Sequence, residues 1–316
     1  MRLGSCVRKT IILFWIENSF VFILNLICLG SIVNRRRCLL VSMMLLLGHP
    51  LAAQRTGLLV VAHGADSGWN ARVREVVAAV RWDGPVELAF LMGAEAESAS
   101  WNGAVTRLDA AGIDSLVVVP LMVSSHGAHT RQIRHYAGEL AELPSVLAGH
   151  DHGPTLRPRA ATRVTAALDA SPELGQILLA RWRERPSSDH ARSVVLVAHG
   201  PTGDQDAARW EAAILSANAP LAAALKNRVL RVGLLRDDAP PPERARAVAA
   251  IRDSIVAIAA RDADSVLVMT VLISSGGINR VTVPRDLADT PMRYAGVVLA
   301  PHLALARWIE RMAGGK

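Results

Sequence analysis

Two apolar runs in this chain end in the same tripeptide. Leu58-Leu-Val-Val-Ala-His63-Gly64 returns as Val194-Val-Leu-Val-Ala-His199-Gly200, 136 residues later. A second pair follows in the same order: Ser115-Leu-Val-Val-Val-Pro120-Leu-Met-Val-Ser124-Ser125-His126-Gly127-Ala128-His129 matches Ser265-Val-Leu-Val-Met-Thr270-Val-Leu-Ile-Ser274-Ser275-Gly276-Gly277-Ile278-Asn279, now 150 residues later. Two ordered matches at nearly constant offset are the mark of a duplicated unit, with 14 more residues between the motifs of the second copy. A chain of 316 residues has room for two such units of ordinary domain size.

Within each copy, short unbroken apolar runs alternate with Ala- and Arg-rich stretches of helical period. This is the pattern of a buried parallel sheet covered by helices, an α/β fold with a four-stranded parallel sheet in each unit. The pattern predicts strands near 58–62, 86–91, 115–120 and 146–148 in the first unit and near 193–198, 229–235, 265–271 and 295–299 in the second. Helices are predicted near 69–82, 97–111 and 130–141, then near 205–225, 242–261 and 303–312. A long helix over Ala160–Arg185 is expected to bridge the units, with Pro186, Ser187 and Ser188 as hinge. The resulting division is 1–53, 54–186 and 187–316, the two sheets facing each other across one cleft.

Composition narrows the chemistry. The three cysteines, Cys6, Cys28 and Cys38, all precede residue 54, so disulfides, thiolate metal sites and cysteine nucleophiles are excluded from the body. Residues 1–53 hold six basic side chains and one acid, a share of +5 in the formal charge of +7, which leaves the body only +2. Aromatics are 4% and no basic run is interleaved with them, so nucleic acid is set aside as a partner. The first 53 residues read as a targeting region. Arg35-Arg36-Arg37, the apolar run Cys38–Leu47 and the small residues Ala52 and Ala53 follow the order of a secretory signal. The expectation is an exported, periplasmic protein. Ile11–Val33, interrupted by Glu17, Asn18 and Asn25, is the alternative as a membrane anchor, and a mis-assigned start would leave the protein cytoplasmic.

In a doubly wound sheet, ligands bind beyond the carboxyl ends of the strands where the order reverses. If the first strand lies beside the third, His63 and His129 meet there. Two convergent neutral imidazoles suit Co, Ni, Fe or Zn. Glu95, after the second strand, reaches the same edge as third ligand or proton acceptor, or is a solvated loop acid. Glu97 reads as a favourable charge at the next helix start. His126 reads as a solvent-facing loop residue, and His150 and His152 in Gly149-His-Asp-His-Gly153 as part of a turn. Ser124-Ser125 beside His126 would suit a hydrolase, but no Gly-x-Ser-x-Gly elbow is present.

An apolar strand ending in His-Gly, a Glu after the second strand, and a third strand running into Pro-Leu-x-x-Ser-x-x-Gly-x-His resemble the sirohydrochlorin chelatases of the CbiX and SirB type. The likeness covers roughly 55–155 and, more weakly, 192–312, so the fold it implies is two tandem chelatase-like domains. The function it implies is insertion of Co(II) or Fe(II), with Ni(II) a further metal, into a sirohydrochlorin-type tetrapyrrole, with no organic cofactor. His63 and His129 would hold the metal, with Glu95 the matching acid, and Arg131 and Arg134 would meet the ring carboxylates. Two departures stand out: Ala65-Asp66 follows Gly64 where a Gly-Ser pair is common, and Asn279 stands where the second unit should have its second histidine. His199 is therefore expected to lack a partner, in a site that has decayed. Export of a protein of this kind favours a second reading, a metal or tetrapyrrole carrier on a chelatase scaffold; the membrane enters only through the N-terminal segment.

Overall fold

The structure is a computed structural model that describes residues 55–93, 95–147 and 155–314, together with the backbone of Trp15–Ile16 and Ser19–Phe20. The chain divides into two units, Met1–Ala52 and Ala53–Lys316. In the first, Trp15–Ile16 pairs antiparallel with Ser19–Phe20. The expected signal and anchor segments otherwise lie outside the described residues. Among the described residues no helix is long and apolar enough to cross a membrane.

The second unit carries both copies of the repeat. Its first sheet is built from β1 (Thr56–Ala62), β2 (Val86–Phe90), β3 (Ser115–Leu121) and β4 (Ala161–Val164), all parallel, in the order β2-β1-β3-β4. The second comprises β5 (Val194–Ala198), β6 (Leu230–Leu234), β7 (Val266–Val271) and β8 (Met292–Tyr294), in the order β6-β5-β7-β8. The two orders are the same once the copies are superposed in sequence. The expected architecture of two parallel four-stranded sheets flanked by helices is what the chain adopts, and in each sheet the first strand lies between the second and the third.

Period-two alternation assigns the two faces of each sheet to different cores. Leu58, Val60 and Ala62 of β1 and Leu196 and Ala198 of β5 belong to one central core. It is filled by α1 (Ser67–Ala78), α4 (Pro172–Arg183), α5 (Asp204–Ala217) and α8 (Leu303–Gly314) through Trp69, Val73, Leu174, Ile177, Ile214 and Trp308. The opposite faces form separate outer cores. Leu59 and Val61 pack on α2 (Trp101–Ala110) and α3 (Ala128–Ala137), and Val195 and Val197 pack on α7 (Pro241–Asp262). The two sheets thus share one apolar interior.

Five expectations are corrected by the structure. The fourth strand is not at 146–148, where Ser145–Leu147 forms a 3₁₀ turn, but at Ala161–Val164. It is an edge strand exposed at Ala161 and Arg163, with β-branched Thr162 and Val164 on its other face, and its Ala and Arg residues mimic the helical period expected over 160–185. That long helix is consequently only Pro172–Arg183, with Ser171 at its N-cap and Pro172 in its first turn, a start signal that outweighs the Ala-rich periodicity before it. The expected hinge at Pro186–Ser188 instead opens a helical turn, Ser187–His190, whose fully buried Asp189 is held by Arg185, Arg192 and Arg293. The helix expected over 205–225 breaks at Asn218 into α5 and α6 (Ala219–Ala224), because Pro220 cannot continue the ladder. α4 crosses at this break through Gly175, where a Cβ would lie 1.9 Å from the Ala217 carbonyl oxygen. The last strand of the second sheet is Met292–Tyr294 rather than 295–299.

Candidate metal centre

His63 is the first residue beyond β1. The chain turns there through Gly64, whose φ of +84° favours glycine and whose added Cβ would lie 2.1 Å from the Met92 carbonyl oxygen. The His63 Nδ1 bonds the Gly64 carbonyl oxygen at 2.7 Å, which places the proton on Nδ1 and the lone pair on Nε2. His129 is the second residue of α3, behind the N-cap Gly127. Its Nδ1 meets Gln132 Oε1 at 3.0 Å, and Gln132 in turn donates to the Tyr136 hydroxyl at 2.8 Å. Each imidazole therefore has its tautomer set by a partner on the far nitrogen, the arrangement seen behind metal-bound histidines.

The predicted convergence is observed: the His63 and His129 rings stand 4.7 Å apart, centroid to centroid, nearly perpendicular at 85°. Burial is the main cause of a His63 pKa lowered to about 4, with the neighbouring His129 next. The Gly64 carbonyl opposes this, His199 adds to it and Asp238 opposes it more weakly. His63 is thus neutral, the form that binds metal, at any pH above about 4. The sign for folding follows. As pH falls from the ordinary 6.5 towards 4, the unfolded chain takes up a proton that the folded chain refuses, so this group lowers stability across that window. In an NMR titration of the metal-free protein, the His63 ring is expected to show a midpoint near 4. His129→Ala should restore only part of the depression, since burial remains. A midpoint at the ordinary value would contradict the geometry.

The loop that delivers His129 is rigidly held. Both Ser125 N and Ser125 Oγ donate to the Asp169 carboxylate, at 2.8 and 2.5 Å, and the Ala167 amide donates to Ser125 Oγ. Thr130 Oγ1 donates to the Ser124 carbonyl. The serine pair is therefore loop scaffolding. His126 contributes its backbone, the carbonyl accepting from Trp210 Nε1.

The structure does not bring Glu95 to the imidazoles. Its carboxylate is gripped by Arg74 of α1 through Nε at 3.1 Å and Nη2 at 2.5 Å, and that guanidinium is the main reason its pKa lies below the usual carboxylate range. Among the described residues no three His, Cys, Asp or Glu side chains stand close enough together to hold a metal ion. Glu97 precedes rather than starts α2, whose N-cap is Ser100, accepting from the Gly103 amide. Arg131 is paired across the halves with Asp206, and Arg134 with Glu139. His150 and His152 lie outside the described residues.

In the second half, Asn279 is buried and donates to Thr270 Oγ1, the Tyr294 hydroxyl and the Gly296 carbonyl, so the residue at the lost histidine position is a structural knot. Against the expectation that His199 lacks a partner, its Nε2 lies 3.7 Å from Asp238 Oδ2. Sequence reasoning missed Asp238, although it follows β6 as Glu95 follows β2. Reciprocal contacts join the sheet edges that carry these residues. Arg280 pairs with Asp66 at 2.5 Å and Arg131 with Asp206 at 3.0 Å, while Ser274 Oγ donates to the Trp69 carbonyl and Trp210 Nε1 to that of His126.

Comparison with known proteins finds the same fold elsewhere. Residues 57–185 match the model of the CbiX family. No curated protein sequence matches the chain. Among solved structures, SirB from Bacillus subtilis with Fe3+ is similar with a TM-score of 0.53 at 16% identity, over 82% of this chain and 94% of that one. DR2241 from Deinococcus radiodurans, a multi-domain protein with structural similarity to chelatases, gives 0.50 at 16% identity, over 83% of this chain and 55% of its own length. The sirohydrochlorin chelatase SirB from Bacillus subtilis subspecies spizizenii in complex with cobalt gives 0.49 at 17%, over 83% and 96%.

Proposed function

Because the chain belongs to the CbiX/SirB-type chelatase family, matching its CbiX model over residues 57–185, we propose that it inserts Co(II) or Fe(II) into a sirohydrochlorin-type tetrapyrrole. The observation that carries this reading is the pair of imidazoles 4.7 Å apart, each with its Nδ1 held by a partner. Two neutral donors hold a divalent ion without the charge that would make its release costly, which suits a metal that is substrate rather than resident cofactor. His63 and His129 present the ion to the macrocycle, whose ring nitrogens displace them as two pyrrole protons leave. In this reading Glu95 joins as third donor or proton acceptor when substrate displaces Arg74. The ionised state that Arg74 enforces is the one either role requires. Export by way of the segment before residue 54 belongs to the same proposal and rests on the order of basic, apolar and small residues there.

The test is anaerobic metallation of sirohydrochlorin by Co(II) or Fe(II), followed by the change in the visible spectrum. Purified protein should raise the rate above the spontaneous one, and His63→Ala should return it to that baseline. Unchanged rates with undiminished binding of the tetrapyrrole or metal would replace insertion by the carrier reading.

A further inference from the structure

His199 repeats the local geometry of His63. The Arg236 amide bonds the His199 carbonyl as the Met92 amide bonds that of His63. Gly200 turns at φ +77° as Gly64 does at +84°, and His199 Nδ1 bonds the Gly200 carbonyl at 2.9 Å. The proton is thereby fixed on Nδ1. A neutral imidazole so held presents its Nε2 lone pair to Asp238 Oδ2 across 3.7 Å, a pair of acceptors that a cation between them would join. Only a proton or a cation can make that contact favourable. The neighbouring charges do not supply it: Arg236 is engaged by Asp204, and Arg244 by Asp237 and Asp286.

The halves differ in what their second-strand acid does. Glu95, three residues after Met92, is drawn away to Arg74, whereas Asp238, two residues after Arg236, is turned to the imidazole. Both His199 and Asp238 lie within electrostatic reach of His63. We propose that His199 and Asp238 form a second, exchangeable divalent-cation site in the C-terminal half, facing the His63–His129 pair, from which a metal ion passes to that pair. The proposal rests on the reading of His63 and His129 as metal-holding residues. Imidazole and carboxylate together accept Co, Fe or Zn, and two such ligands on one ion, each about 2.0–2.2 Å from it, sit roughly 3 Å apart. A small rotation of the Asp238 side chain, 63% exposed, closes the difference. With two protein donors, water completes the shell, so the ion is held loosely. The carboxylate's charge speeds capture of a dication arriving from solvent, while the second imidazole of the His63–His129 pair, a stronger donor to Co(II), holds the ion more tightly once it has passed.

The experiment is Co(II) titration of the full chain without tetrapyrrole, read by equilibrium dialysis and by the visible ligand-field bands. The parent should bind two equivalents, one weaker than the other. His199→Ala should abolish the weaker equivalent and spare the tighter one, and Asp238→Asn, which keeps an oxygen donor but loses its charge, should weaken it by at least the roughly 10–100-fold that an outer partner of a metal ligand costs. Circular dichroism of each variant confirms that the fold is kept. One equivalent in the parent, unaffected by either substitution, would overturn the proposal. One equivalent weakened alike by His63→Ala and His199→Ala would mean a single ion shared by both halves, and would overturn it too. No Co(II) bound by the parent would instead sink the metal-holding reading of His63 and His129 on which it rests.

Discussion

Either His63→Ala or His129→Ala is expected to lower the affinity of the tighter Co(II) site by more than the roughly 10–100-fold that loss of an outer partner of a metal ligand costs. The reason lies in the donor count. With Glu95 held by Arg74, the two imidazoles are the donors the N-terminal half brings together, and removing one leaves a single neutral nitrogen. Gln132→Ala tests the orienting contact separately. It removes the acceptor for His129 Nδ1 and should fall within the smaller, outer-partner range. Calorimetric titration of the metal-free protein checks the order of effects. Parent-like binding by either histidine variant would show that the metal is held elsewhere.

The second large effect concerns the shared interior. Trp308 on α8 is fully buried in the core that lies between the two sheets, and its indole nitrogen has no hydrogen-bond partner, so its contribution is packing. Trp308→Ala is expected to cost about 3–5 kcal/mol, the usual range for deleting a large buried aromatic. Because α8 is packed with residues from both sheets, the loss should lower the stability of both halves together, in one urea transition shifted to lower concentration. A loss below about 1 kcal/mol, well under that range, would mean that the site collapses around the cavity. Two separated transitions would mean that the halves fold independently.

These expectations depend on different parts of what the chain encodes. The duplication, the parallel sheets and the meeting of His63 with His129 were legible in the sequence. The first two follow from β-branched runs buried on both faces and a His-Gly turn at each strand end, and the meeting of the histidines was legible only on the condition that the first strand lies beside the third, which the folded sheet supplies. Edge strands were not legible. Ala161–Val164 is exposed on alternate residues and gains its identity from pairing with Ser115–Val118, a partner more than forty residues away. The helix break at Asn218 was visible as Pro220, yet its purpose, the approach of Gly175 to the Ala217 carbonyl, comes from another helix.

The charged groups of the site were the least legible, for a related reason. A loop carboxylate has no periodicity, and which cation or imidazole it meets depends on whatever side chain packing brings within about 4 Å. The place of Glu95 after a strand directs it, in sequence alone, towards the imidazoles, but Arg74 on α1 takes it. Asp238 carries no signal beyond its place after a strand, and its contact with His199 arises only once β6 is laid beside β5. The backbone and its apolar pattern are set by neighbours a few residues away, so composition and spacing reveal them. Ion pairs such as Arg131–Asp206 and Arg280–Asp66 join residues 75 and 214 positions apart, and the folded chain alone chooses such partners.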